Sequence, residues 1–159
     1  MKIYYEDSLP YAAEFFSELG DSRVFSHKDV NAKLVADADV LLVRSTTKVN
    51  AQLLDLNQNI AYVGTATAGT NHLDEEYLRS RELGIHSAAG CNAVAVAEYV
   101  LSALFVMALE HDWQLVDKTV GIVGAGHVGT RLSAKLTALG IRHLLCDPPL
   151  ADAGDPRDF

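Results

Sequence analysis

Cysteine is almost missing from this chain. Only Cys91 and Cys146 occur among its 159 residues, and they lie far apart in the sequence. Two distant thiols exclude a disulfide framework and a cysteine-based zinc site. The six histidines are scattered, without the spacing that metal ligands show, so we predict that the protein holds no metal.

Clusters of positive charge are also missing. The chain has 13 lysines and arginines against 21 aspartates and glutamates, a formal net charge of −8. Because proteins bind nucleic acids largely through lysine and arginine contacts to phosphates, this balance argues against a nucleic-acid partner. The N-terminal residues lack the basic start and the apolar core of a signal peptide. We therefore expect a cytoplasmic protein.

Long apolar runs are limited to one segment, residues 92–111. Apolar side chains cover nearly the whole circumference of the helix predicted there, which is typical of a helix buried in a core or in a subunit contact. The segment is short for a bilayer and Glu98 interrupts it, so we predict no membrane span. We expect this helix to connect two domains and to form part of a homodimer interface.

Short apolar runs alternate with helical patterns before that segment. The strands are predicted at residues 3–5, 23–25, 40–43, 60–63 and 85–88. The helices are predicted at residues 12–19, where Ser8 is the expected cap and Pro10 lies in the first turn, and at 31–38, 50–56 and 74–83. This alternation predicts an α/β domain with a parallel sheet that carries helices on both faces.

Two small polar residues follow strands of this predicted sheet. Ser45 comes after the third strand and Thr67 after the fourth. Ligands of open parallel sheets bind at the carboxyl ends of the strands, so both residues are candidates for substrate contact. They could equally be ordinary strand-end caps, because loops are rich in such residues. Arg44 and Lys48, which flank Ser45, could attract a phosphate or simply lie in solvent.

The most specific motif lies in the second half of the chain. A strand pattern at 120–123 ends in Gly124-x-Gly126-x-x-Gly129, a helical pattern follows at once, and Asp147 closes the next apolar run. This arrangement is the dinucleotide-binding fingerprint, in which the pyrophosphate lies at the helix N-terminus. Asp147 would accept hydrogen bonds from the ribose hydroxyls and repel a 2′-phosphate, which favours NAD over NADP. It could instead be only a turn former ahead of Pro148.

The predicted organisation is two domains joined by a helix. Residues 1–91 form the first domain, 92–118 the connecting helix and linker, and 119–159 the start of the second domain. Two parallel strands and one helix cannot bury both faces of a sheet. We therefore expect that the chain stops partway through its second domain, as a truncated gene product or a fragment.

Five segments of the chain resemble the D-isomer-specific 2-hydroxyacid dehydrogenases. They are residues 38–50, 63–74, 90–100, the fingerprint and 144–149, so the resemblance extends over essentially the whole chain. It implies a flavodoxin-like substrate domain, the first βαβ unit of a Rossmann domain, a homodimer, and NAD as the cofactor. The implied reaction is oxidation of a small phosphorylated 2-hydroxy acid at its C2 hydroxyl.

The resemblance also implies roles for individual residues. Ser45 and Thr67 match substrate-contacting positions, whereas His127, Val128 and Asp147 match NAD-contacting positions. His127 and Val128 would act through their backbone N–H groups. The reaction needs a general base, usually a histidine oriented by a carboxylate, and an arginine that holds the substrate carboxylate. In the family these three residues lie beyond residue 159.

We therefore expect no catalytic residue in this chain, and we expect the chain by itself to be inactive. Two alternatives remain open. The parent could act on another 2-hydroxy acid, of the phosphoglycerate or lactate type, or the chain could be a non-catalytic NAD-binding fragment.

Overall fold

A computed structural model describes all 159 residues, Met1 to Phe159. The chain forms two compact units, Met1–Ala89 and Gly90–Phe159. Each unit is an α/β structure, which confirms the predicted fold class.

The first unit is built on a five-stranded parallel sheet. Its strands are β1 (Lys2–Glu6), β2 (Asp21–Phe25), β3 (Val40–Val43), β4 (Tyr62–Thr65) and β5 (Gly84–Ser87), and its helices are α1 (Ala12–Ser17) and α2 (Glu75–Ser80). The strand order β2-β1-β3-β4-β5 is that of flavodoxin-like sheets. The direction of winding reverses between β1 and β3, and ligands of such sheets bind at this reversal.

The core of the first unit lies on one face of the sheet. Leu41, Val43 and Val63 point to this face and are fully buried. They pack with Leu54 from the segment before β4 and with Leu78 from α2. The β-branched and leucine side chains of β3 and β4 suit a pleated, buried surface, and their burial drives this unit to fold.

Several local predictions for the first unit are wrong in detail. Residues 32–37 and 51–56 form successive turns rather than helices. Each segment makes only one backbone hydrogen bond of α-helical spacing, whereas an α-helix needs consecutive ones. Asn31 and Asn50 do cap these turns, because their side-chain oxygens accept hydrogen bonds from backbone amides of Leu34 and Leu53.

One strand boundary and one helix cap also differ from the predictions, because polar side chains form other hydrogen bonds there. The fourth strand begins at Tyr62, not Ile60, since the Ile60 amide donates to the buried side chain of Asn57. The helix after β1 begins at Ala12, and its N-cap is Tyr11 rather than Ser8. The Ser8 hydroxyl donates instead to Glu6, at 2.7 Å. The predicted cap at Asp74 is confirmed, because its side chain accepts the Tyr77 amide.

Glu6 ends β1 at the reversal point, and its carboxylate is fully buried. Its Oε1 accepts hydrogen bonds from the hydroxyls of Ser8 and Thr46, and its Oε2 accepts from the Arg44 amide and the Thr47 hydroxyl, at 2.6–3.0 Å. Burial alone would raise the pKa of Glu6, but these four donors lower it from 4.5 to about 2. The carboxylate therefore fastens the loop after β3 to the end of β1.

The second unit contains the predicted βαβ arrangement. Its elements are α3 (Ala93–Glu110), a 3-10 turn (Leu115–Asp117), β6 (Thr119–Val123), α4 (His127–Ala138), β7 (Arg142–Cys146) and α5 (Pro148–Asp152). Strands β6 and β7 pair in parallel as a separate two-stranded sheet. One face of this sheet packs on α3 and α4 through Ile122, Leu132 and Leu136. The other face leaves Val123 and Leu144 exposed.

Helix α3 is buried along one side only. Ala97 is fully buried against the second core, whereas Tyr99 and Val106 are 74% and 54% exposed. By length and composition alone this helix could cross a membrane, a weak criterion that core helices of soluble proteins also meet. Glu98 pairs with Lys135 of α4 at 2.9 Å, which ties the helix further to its own unit.

The residues after β7 are more ordered than the sequence pattern indicates. Pro148 does end the strand, as predicted, but it also starts α5, where proline is tolerated because its missing N–H would be unpaired. Asp147 caps this helix through the Leu150 amide.

Replacing Glu6 by glutamine tests the buried carboxylate. Glu6→Gln puts an amide group among four donors, so we expect the first unit to lose about 2–4 kcal/mol of stability at pH 7. The depressed pKa stabilises the fold above about pH 5, and this contribution of about 3 kcal/mol is lost as the pH falls towards 2. Urea unfolding followed by circular dichroism at several pH values measures both effects.

The exposed Glu14 of α1 supplies the matched control. Glu14→Gln should leave stability unchanged within about 0.5 kcal/mol. Equal stability of Glu6→Gln and Glu14→Gln at pH 7 would contradict the role assigned to Glu6.

Gly129 tests the packing of α4 on β6. A Cβ at this position would collide with the carbonyl oxygen of Gly124 and lie 3.2 Å from the Ile122 side chain. We expect Gly129→Ala to cost the second unit about 1–3 kcal/mol, because backbone atoms must move. Gly121→Ala, whose Cβ would meet nothing within 4 Å, is the control. The fluorescence of the single tryptophan, Trp113, reports unfolding of this unit, and equal midpoints for the two variants would refute the prediction.

Candidate functional site

Ser45 and Thr67 lie at the same edge of the first sheet. Val43 and Thr65 are paired in the register of β3 and β4, and each candidate follows its paired residue by two positions. Ser45 is exposed and Thr67 is half-buried. The structure therefore brings both residues to neighbouring strand ends beside the reversal point, and substrate contact remains a prediction for each.

Hydrogen bonds to the Glu6 carboxylate hold the loop that carries Ser45. Three of the four donors to that carboxylate, Arg44, Thr46 and Thr47, flank Ser45 in sequence. A loop with three fixed neighbours keeps the Ser45 side chain at the sheet edge. Sequence reasoning missed Glu6, although a charged residue directly after a buried apolar strand was a signal that could have revealed it.

Thr67 belongs to a chain of side-chain hydrogen bonds. Its hydroxyl donates to the Gly69 carbonyl at 2.9 Å and lies 2.8 Å from the Thr65 hydroxyl. The Thr65 oxygen in turn lies 2.9 Å from Nε2 of His72. Burial lowers the pKa of His72, and the negative charge of Glu6 opposes this shift. The imidazole is therefore neutral near pH 7.

One group of possible metal ligands occurs near this edge. Ligand atoms of Glu6, Asp7 and His27 lie within 4.8 Å of one another. Asp7 and His27 are exposed, and the Glu6 oxygens already accept four hydrogen bonds. We assign no metal to this group, because a cation would have to displace those donors.

The second candidate site is the glycine turn between β6 and α4. Gly124 has φ +91°, a conformation that favours glycine, and Gly126 is the N-cap of α4 without a side-chain cap. The amides of His127 and Val128 are in the first turn of the helix, where no intrahelical acceptor exists. A Cβ at Gly124 or Gly126 would meet nothing within 4 Å, so the space before these amides is open.

Asp147 lies beside this turn, at the end of β7. Its Oδ2 accepts the Ala125 amide at 2.8 Å, and its Oδ1 accepts the Leu150 amide at 3.2 Å. The carboxylate thus caps α5 and also fastens the glycine turn. Each oxygen retains a lone pair, because a carboxylate offers about four acceptor positions. The two alternatives posed for Asp147, turn former and ribose ligand, are therefore compatible.

Arg157 is a further residue at the turn that sequence reasoning missed. Its guanidinium donates to the Ala125 carbonyl and to the Thr130 hydroxyl, both at 2.8 Å. Asp155 pairs with it at 2.8 Å and orients it. No sequence pattern indicated this contact, because it joins the tail to a turn that lies about 30 residues earlier.

Comparison with known proteins identifies relatives of the whole chain. The model of the family described as D-isomer specific 2-hydroxyacid dehydrogenase, catalytic domain, matches residues 3–142. Erythronate-4-phosphate dehydrogenase of Pseudoalteromonas atlantica is 86% identical over all 159 residues. The chain spans 42% of the length of that relative.

Solved structures with the same fold are more distant in sequence. D-lactate dehydrogenase from Aquifex aeolicus, complexed with NAD and lactic acid, has a TM-score of 0.75 at 16% identity, over 92% of this chain and 51% of that one. An acyclic imino acid reductase complexed with NADPH and D-Arg has a TM-score of 0.77 at 20% identity, over 100% of this chain and 58% of that one.

The two structural neighbours carry different nicotinamide cofactors, so the shared fold does not by itself determine which cofactor binds. The family match covers most of the chain and agrees with the strand order and the glycine turn. The chain belongs to the D-isomer specific 2-hydroxyacid dehydrogenase family.

Proposed function

We propose that this chain is the substrate-binding part and the NAD-anchoring turn of an erythronate-4-phosphate dehydrogenase. That enzyme would oxidise 4-phospho-D-erythronate at C2 to the 2-oxo acid, 3-hydroxy-2-oxobutanoate phosphate, in pyridoxal 5′-phosphate (vitamin B6) biosynthesis. The observation that carries the proposal is the 86% identity to the Pseudoalteromonas atlantica relative over every residue of the chain.

The substrate would bind at the carboxyl edge of the first sheet. Ser45 is exposed on the loop fastened by Glu6, and Thr67 lies at the end of the neighbouring strand. Arg44 and Lys48 are exposed on either side of Ser45 and supply positive charge in a chain of net charge −8. These cations favour approach of a phosphorylated, carboxylated ligand.

NAD, when bound, accepts the hydride from C2. The turn suits a dinucleotide, because open space lies before Gly124 and Gly126 and the first amides of α4 have no capping side chain. His127 and Val128 would donate these amides to the pyrophosphate, where the helix dipole favours an anion. Asp147 would accept ribose hydroxyls with its remaining lone pairs, and its charge would repel the 2′-phosphate of NADP.

The proton acceptor and the carboxylate-binding arginine are proposed to lie outside these 159 residues. The chain spans 42% of its relative, which leaves room for both groups in the longer protein. We accordingly expect the chain alone to be inactive.

We also propose a cytoplasmic homodimer that associates through α3. The side of this helix away from its own core exposes Tyr99, Val106 and Leu109, which are 74%, 54% and 83% exposed. A run of exposed apolar side chains of this kind is typical of an interface. A second copy of the same helix presents the same surface, as symmetric dimers require.

A chimaeric protein tests the proposed activity. These 159 residues replace the matching part of the Pseudoalteromonas atlantica relative, to which they are 86% identical. We expect this chimaera to reduce NAD with 4-phospho-D-erythronate, and we expect Thr67→Val to raise KM about tenfold through a lost hydrogen bond. Thr137→Val on the exposed side of α4 is the matched control.

The products and the substrate range decide between the alternatives. Turnover of 3-phosphoglycerate or D-lactate, without turnover of 4-phospho-D-erythronate, would show that the protein is a family member with a different substrate. Turnover by the isolated 159-residue chain would disprove the assignment of the catalytic groups to the rest of the protein.

The dimer is tested with one substitution on α3. Val106→Asp places a charge in the proposed interface, so we expect the chimaera to change from dimer to monomer in analytical ultracentrifugation. Val116→Asp is the matched control, because Val116 is 55% exposed but lies outside α3. A monomeric parent chimaera, or dissociation by both variants, would reject the interface.

A further inference from the structure

We propose that the Gly69 carbonyl and the Nε2–H of His72 together fix, from opposite ends, the direction of a hydrogen-bond chain through Thr65 and Thr67, and that Thr67 therefore recognises a ligand hydroxyl group rather than a carboxylate or phosphate oxygen. His72 is thus a positioning residue that determines specificity without touching the ligand. The inference rests on the proposed contact between Thr67 and the substrate, and it specifies which group of the substrate that contact can accept.

The hydrogen atoms of the chain can be assigned in only one way. The Gly69 carbonyl can only accept, so the Thr67 hydroxyl must give its single hydrogen to it. The Thr65 hydroxyl must then be the donor in its contact with Thr67. Having used its own hydrogen, Thr65 must accept from His72, so Nε2 of the imidazole carries a proton.

This assignment determines what Thr67 can offer to a ligand. Its oxygen donates one hydrogen bond and accepts one, which leaves a single lone pair. A carboxylate or phosphate oxygen that carries no hydrogen cannot donate a hydrogen bond to the remaining lone pair of Thr67. A hydroxyl can, and 4-phospho-D-erythronate has two hydroxyls, on C2 and C3.

Backbone hydrogen bonds hold His72 and Thr67, the two ends of this hydrogen-bond chain, in place. The carbonyl of His72 accepts the Val49 amide at 2.9 Å, and the Thr67 carbonyl accepts the Ala88 amide at 3.1 Å. Thr65 is buried at the end of β4. The direction of these hydrogen bonds does not depend on whether the imidazole is charged, because Nε2 is a donor both in the cation and in this neutral tautomer.

Nuclear magnetic resonance of the 159-residue protein tests the direction of these hydrogen bonds without any ligand, because it identifies the protonated nitrogen of His72. A long-range ¹H–¹⁵N correlation spectrum near pH 7.5 distinguishes the two neutral tautomers of histidine. We expect His72 to be protonated at Nε2 and unprotonated at Nδ1. A spectrum with the proton on Nδ1 would overturn the proposal, whatever the protein binds.

Substitutions in the chimaera test the consequence for the ligand. His72→Phe leaves the Thr65 hydroxyl without its donor, so this hydroxyl can turn away from Thr67 and no longer holds the Thr67 oxygen in place. We expect affinity for 4-phospho-D-erythronate to fall about five- to tenfold. His72→Gln keeps an N–H donor and should retain most of the affinity. Thr65→Val breaks the next link, so its effect should be similar and should not add to that of His72→Phe.

Deoxy analogues separate recognition from simple structural damage. Inhibition constants are measured for the 2-deoxy and the 3-deoxy analogues of 4-phospho-D-erythronate. For the analogue that lacks the recognised hydroxyl, His72→Phe should cause no loss. Equal losses for the substrate and both analogues would indicate only structural damage and would overturn the proposal.

Different results would reject the role of His72 and the proposed activity of the protein. If the parent chimaera binds 4-phospho-D-erythronate and the His72 variants behave like the parent, the specificity role is wrong and the proposed function stands. If the parent chimaera does not bind this acid, the proposed function is wrong and so is the hydroxyl assignment, whereas the spectrum still determines the polarity of the chain.

Discussion

A buried carboxylate at the reversal point of the first sheet holds the candidate substrate site together. Removing the charge of Glu6 from water is costly, and the fold tolerates it because four donors surround the two oxygens. Three of these donors belong to the loop after β3, so the carboxylate both ends β1 and shapes that loop. Ser45 lies among them, and its placement therefore depends on a residue that is distant in sequence.

The second unit uses a carboxylate in a related way. Asp147 accepts an amide from the glycine turn and another from α5, so it joins the end of β7 to the turn that would hold the pyrophosphate. Gly129 lets α4 lie against that turn, and Arg157 donates a hydrogen bond to the Ala125 carbonyl. The turn is thus positioned before any dinucleotide arrives, which lowers the entropic cost of binding.

Local sequence patterns predicted most elements but failed where side chains compete for backbone groups. Ser8 does not cap the first helix, and its hydroxyl donates instead to Glu6; the fourth strand begins later because the Asn57 side chain accepts the Ile60 amide. Residues 32–37 and 51–56 form turns, each with only one backbone hydrogen bond of α-helical spacing. Periodicity could not reveal these outcomes, because it reports the spacing of apolar residues and not the hydrogen bonds that polar side chains form with near neighbours.

The order of amino acids was enough to predict the α/β class, the glycine turn with Asp147, and the two polar strand ends at Ser45 and Thr67. These features follow from local patterns, because strand and helix periods and glycine spacing are properties of neighbouring residues. The folded chain was needed to reveal the four donors around Glu6, the contact of Arg157 with the turn, and the hydrogen bonds from His72 to Thr67. Each of these joins groups that become neighbours only when the strands pair and the loops close.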